Sequence, residues 1–161
     1  MGTDVYLKWK GMTKKEEDGQ ITGYAIDAGE KGYLRASIGM VKENTVLRMV
    51  FPNCWEEQKE FDFQNEKNIT ILELSARAYL LSVIFQKDIN ELVLNKDVKK
   101  MNEMGNTIKE LMENLGCTYV TGSHSESLSS AVMWLNSLYN FYRLGLSKQK
   151  EGKKPIVHIS W

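Results

Sequence analysis

Apolar and polar residues alternate at the start of the chain. Val5, Leu7 and Trp9 fall in one phase, and Asp4 stands in the other. Successive side chains of a strand point to opposite faces, so period two predicts a half-buried strand. Gly11 ends it. Thr13-Lys14-Lys15-Glu16 then has the form of a capping box, in which hydroxyl and carboxylate satisfy each other's free backbone donors. A short, exposed, charged helix should follow and fade between Gly19 and Gly23. Tyr24 to Ala28 and Tyr33 to Ile38 read as further strands, and the intervening Gly29-Glu30-Lys31-Gly32 turn would join them as a hairpin.

From Lys42 the period lengthens. Val46, Leu47, Val50 and Phe51 have helical spacing, stopped by Pro52. Asn53 to Lys67 is polar with scattered aromatics and reads as an ordered loop. Ile69 to Gln86 is the most apolar segment, with only Thr70, Glu73 and Arg77 as a narrow polar stripe. Such a pattern predicts a central core helix. Asp88 to Asp97 fits either a short helix or a loop. Met101, Met104, Ile108, Leu111 and Leu115 mark an amphipathic helix ended by Gly116. Ser123-His124-Ser125-Glu126 is a second capping box, opening a helix to about Leu146. Its main face carries Leu128, Val132, Leu135, Tyr139 and Tyr142, widened by Trp134, Leu138 and Phe141. Ser147 to Lys154 reads as a solvated basic connector, and Pro155 to Trp161 as a closing strand.

Strands at both ends with helices between them predict an α+β fold in a single domain over residues 1–161. A small sheet of the N-terminal strands and the C-terminal strand would pack against about three long helices.

Composition narrows the function classes. Lysine plus arginine and aspartate plus glutamate number 21 each, so no global field favours nucleic acid or an anionic membrane. The first ten residues contain no apolar leader core, and the longest apolar run, Ala78 to Phe85, is too short to span a bilayer. The two cysteines, Cys54 and Cys117, are far apart and read as buried free thiols. Together these predict a cytoplasmic protein, in which the glycosylation sequon Asn68-Ile69-Thr70 would carry no meaning.

Catalytic signatures are missing. The chain has no phosphate loop of the GxxxxGK[ST] type, no GxGxxG, no GxSxG, no HExxH and no CxxC. Two histidines, His124 and His158, exclude a multi-histidine metal site, and no metal or cofactor is expected. His124, just before a helix, has the setting of a general base, but a solvent-exposed loop residue or a structural one is the commoner role for either histidine. Lys148, Lys150, Lys153 and Lys154 lack the interleaved aromatics of a nucleic-acid groove.

One stretch combines turn glycines with grasping side chains. Tyr33, Arg35 and Ser37 share a phase between Gly32 and Gly39, opposite Leu34, Ala36 and Ile38. A guanidinium between two hydroxyls can bind a carboxylate or phosphate in two-pronged fashion. Asp4 would add a carboxylate nearby. The same alternation also describes the wet side of a half-buried strand, with Arg35 paired to Glu30 or Asp4.

The opening Met1-Gly2-Thr3-Asp4-Val5-Tyr6-Leu7 and the run Gly32-Tyr33-Leu34-Arg35 resemble segments of uncharacterised bacterial hypothetical proteins. The resemblance covers two short blocks and implies no activity, cofactor or partner. Two readings of function follow. The first is a binding or protein-interaction module, as a homodimer through a sheet edge or with another protein. The alternative is a protein, enzymatic or not, that binds a small anionic ligand through Tyr33, Arg35 and Ser37 with Asp4 beside them.

Overall fold

The computed structural model describes residues 2–21, 29–37, 51, 54, 59–85, 99, 103, 106 and 125–160. Its elements run β1 (Gly2–Lys8), α1 (Lys14–Ile21), a single 3-10 turn (Gly29–Lys31), β2 (Tyr33–Ser37), β3 (Lys59–Glu60), α2 (Glu66–Phe85), α3 (Ser125–Lys150) and β4 (Ile156–Ser160). The expected α+β class holds. The strands form one antiparallel sheet in the order β2-β1-β4-β3, so the two ends of the chain pair at its centre. Val5 lies opposite Leu34 on one side and Ile159 on the other. Residues facing each other across a ladder share a sheet face, so this register brings the apolar phases of three strands together.

That face is the core. Val5, Leu7, Leu34 and Val157 have no exposed surface, and Trp9 and Ile159 very little. They cluster with Ile71 and Leu74 of α2 and with Leu138, Phe141 and Tyr142 of α3. Each such side chain contributes roughly 1.5–3 kcal/mol relative to leaving it in water. Beside them Phe51, Phe61, Phe63, Phe141 and Tyr142 form an aromatic box. Phe61 and Phe63 stand edge to face at 4.6 Å, and Phe63 and Tyr142 at 5.2 Å. These are the geometries that ring quadrupoles favour.

Several expectations are corrected. β2 pairs with β1, and the first strand of the expected hairpin, Tyr24 to Ala28, lies outside the described residues. The span Asn53 to Lys67 is not all loop. It contains β3, and α2 begins at Glu66, where the Asn65 carboxamide oxygen accepts the Asn68 amide at 2.9 Å and caps the helix. Phe61 and Phe63, two of the three aromatics of that span, enter the core because the main chain is pinned there: the Phe61 amide donates to the Pro155 carbonyl at 2.9 Å, while Trp55 lies outside the described residues. Gln149 of α3 accepts from the Phe63 amide and donates to Asp62, both at 2.7 Å. The sequon has a structural use. Asn68 is 5% exposed, donates to the Asp62 carbonyl and accepts from the Tyr142 hydroxyl.

Helix α3 outruns its expected end at Leu146 by a full turn. Its stop signal is Gly152, at φ 74°, whose amide bonds the Gln149 carbonyl while that of Lys153 bonds Lys148. This is a Schellman closure, which needs a residue at ease in the left-handed region. Ser147 to Lys150 are thus helical, and Lys148 is no solvated connector residue: its ammonium lies 4.8 Å from the Trp9 ring centroid. The buried face of α3 is centred on Leu138, Phe141, Tyr142 and Gly145, and Tyr139 is only half buried, with the Arg143 guanidinium over its ring. Helix α2 is less enclosed than its composition implies, since Leu80 is 59% exposed. Of the helix expected before Pro52, only the buried Phe51 is described. Most of the Met101 to Leu115 helix also lies outside the described residues; Glu103 and Asn106 within it are helical.

Candidate functional site

The outer face of the sheet carries the residues left over by the core phase. Burial alternates along β4, with Val157 and Ile159 buried and Ile156, His158 and Ser160 half buried. Along β1, Asp4, Tyr6 and Lys8 occupy the corresponding half-buried positions. Register then fixes the neighbours. Asp4 stands opposite Arg35 on one side and Ser160 on the other, and Tyr6 stands between Tyr33 and His158.

All four sequence-predicted site residues therefore fall in one two-stranded ladder. Tyr33, Arg35 and Ser37 occupy alternate rungs of β2, opposite Tyr6, Asp4 and Gly2. At about 3.3 Å per residue, Tyr33 and Ser37 lie roughly 13 Å apart along the strand. One small ligand cannot rest on both at once. The Tyr33 hydroxyl, moreover, is engaged: it donates to Asp4 Oδ1 at 2.6 Å, a diagonal bond across the ladder. That is the length of a hydrogen bond to an ionised acceptor. Tyr33 itself is 3% exposed, so its ring belongs to the body of the protein.

Tyr6 and His158 are the residues of this face that strand phase alone did not single out. The Tyr6 ring lies 5.4 Å from Tyr33 and 6.2 Å from His158, and the Lys8 ammonium lies 5.5 Å from its centroid. Tyr6 is thus the hub of a row that crosses three strands. The available signal was the shared phase of Asp4 and Tyr6, but His158 joins them only once β1 and β4 are paired in register.

Cys54 is free and buried, and burial pushes its thiol up to about 11, far from thiolate chemistry at neutral pH. Cys117 and His124 lie outside the described residues. Among the described residues no group of three or more His, Cys, Asp or Glu could hold a metal ion, and no helix is long and apolar enough to cross a membrane. No family model, curated protein or solved structure matches the chain.

Proposed function

We propose that this chain is a binding module of the bacterial cytoplasm that acts by protein contact, through the outer face of its sheet. The observation that supports this reading is the half-buried Tyr6, held between Tyr33 and His158 on a four-stranded sheet. An aromatic with a polar tip, fixed by its neighbours, loses little freedom on association and gains a large contact area. A second copy of the chain is the simplest partner.

The alternative, a small anionic ligand at Tyr33, Arg35 and Ser37, is supported by their common ladder. It is weakened by the Tyr33 hydroxyl being spent on Asp4, because an anion arriving there would meet a carboxylate. One pair of measurements separates the readings. Native mass and light scattering across a concentration series should show a dimer or a co-purifying protein, lost in Tyr6→Ser. A strict monomer that carries nothing would remove the interaction reading. A thermal shift with phosphate, nucleotides or organic acids, abolished by Arg35→Ala, would install the anionic one.

A further inference from the structure

Helix α1 is joined to the sheet in an unusual way. From Lys14 to Gln20 the only buried side chain is Gln20, which has no exposed surface. Lys14, Lys15 and Asp18 are exposed, and Gly19 stands within the helix just before its end. Glycine costs a helix backbone entropy, and eight residues are too few to be helical unaided. Something must hold α1 in place. Among the described side chains of α1 that part falls to the Gln20 carboxamide, whose nitrogen donates to the carbonyls of Leu7 at 2.8 Å, Lys31 at 2.9 Å and Gly32 at 3.1 Å.

Two features make this a weak fastening. An amide nitrogen has two protons for these three acceptors, so at least one bond is shared. The Gln20 oxygen is buried with no partner at all, and an orphaned buried carbonyl weakens the docked state. The other end of α1 is anchored differently. The Met12 amide donates to Trp9, the Lys10 amide to Lys153, and Thr13 and Glu16 close their capping box. Gly11, at φ 81° with open space around it, is the natural pivot.

We infer that α1 is a latch: it pivots about Gly11 to Thr13, with Gln20 as its catch, and opens without unfolding the sheet. What it covers is the corner where the 3-10 turn enters β2. The catch bonds the last residue of that turn and Gly32, the residue immediately before Tyr33. Gly32 is fitted to the closed state, since a side chain there would meet Gln20 Nε2 at 2.8 Å and Leu7 at 2.9 Å. Opening frees the carbonyls of Leu7 and Lys31 beside the strand that holds Tyr33 and Arg35, while that of Gly32 keeps the Leu7 amide. Access to that corner is thereby tied to the position of α1.

Native-state hydrogen exchange of the full chain tests the latch. The amides of α1 should exchange at least about 100-fold faster than those of Val5, Leu7 and Val157, through an opening insensitive to dilute guanidinium. Gln20→Met keeps the length of the side chain and removes its donors. It should speed α1 exchange at least about ten-fold further while leaving β1 and β4 as slow as before. Gln20→Glu should make the catch depend on pH. The protonated carboxyl donates its one proton to a carbonyl and holds α1 at low pH, whereas the carboxylate repels the carbonyls and opens it at neutral pH, after correction for intrinsic exchange. If α1 and β1 exchange together with one denaturant slope, the latch does not exist. If Gln20→Met unfolds the whole protein, or leaves α1 exchange unchanged, Gln20 is not its catch.

Discussion

The two faces of the same sheet follow different rules. On the inner face Val5, Leu7, Leu34 and Val157 are sealed against two helices and an aromatic box. On the outer face Asp4, Tyr6, Lys8 and His158 are half buried, and the contacts described among them are the short Tyr33–Asp4 hydrogen bond and the ring contacts. Area removed from water dominates the first and pairwise geometry the second. Neighbours in sequence can therefore differ several-fold in what they contribute to stability, and the candidate site lies where stability places the weaker constraint.

The sharpest challenge to this contrast is a pair of adjacent residues. Leu7→Ala should cost about 2–5 kcal/mol, because it empties a site between the sheet and the helices. Urea titration gives the value. A loss below about 1 kcal/mol would mean that the inner face is not the tightly packed core described. Packing in the opposite sense comes next. A Cβ on Gly145 would run into the Phe63 ring, in the middle of the buried face of α3. Gly145→Ala should cost about 1–3 kcal/mol despite the better helix propensity of alanine. If alanine stabilised the protein, the close approach of α3 to Phe63 would be disproved.

The inner face was legible in the sequence and the outer face only half so. Period two in β1 and helical spacing in α3 follow directly from burying one side of an element, so Val5, Leu7, Phe141 and Tyr142 could be assigned in advance. The pairing of the chain ends was legible too, from a strand at each end. Phe61 and Phe63 were less so: the segment is too short and polar to show a period, and it is placed by Gln149, 86 residues from Phe63. At the candidate site, Asp4, Tyr33, Arg35 and Ser37 came from strand phase. That Tyr33 bonds Asp4, and that His158 lies beside Tyr6, depends on register between segments far apart in sequence, which periodicity does not encode. The end of α3 was readable in principle, since Gly152 is the closing residue that the helix needs.

Outer-face changes should be smaller and graded. Tyr33→Phe deletes the hydroxyl that Asp4 accepts and keeps the ring, so the loss should be about 1.5 kcal/mol, the lower end for a bond to a charged group. A neutral outcome would show that the 2.6 Å contact does not persist in solution. Tyr6→Ala removes a cross-strand partner of both Tyr33 and His158, and should cost about 0.5–1 kcal/mol, several-fold less than its neighbour Leu7. If Tyr6 proved as costly as Leu7, the outer face would have to be counted as core.

The response to pH separates buried from exposed groups in the same way, with the smaller effect on the acid side. Burial holds the Cys54 thiol at about 11 against an ordinary 9.0, and holds Tyr142 well above 10.0. A raised value means that the folded protein keeps its proton after the unfolded chain has lost it. Stability should therefore fall as the pH rises from about 9 towards about 11, and Cys54→Ala should flatten the start of that decline. Glu16, Asp62 and Glu151 are shifted the other way. Glu16 is held down first by the Thr13 amide and hydroxyl, Asp62 by the Gln149 side chain, and Glu151 by Lys153. A lowered value means that the folded protein stays ionised while the unfolded chain takes up protons. Their contribution is thus complete above the ordinary carboxylate range and fades as the pH drops through their folded values. All three lie at the surface, where water and salt screen the charges, so the acid limb should be shallow and should shrink further in high salt. Thr13→Ala ought to trim only the hydroxyl's part of the Glu16 share, since the amide of residue 13 remains, whereas Glu16→Gln ought to remove that share altogether. An acid limb as steep as the alkaline one, or one indifferent to salt, would place these carboxylates in the buried half of the molecule.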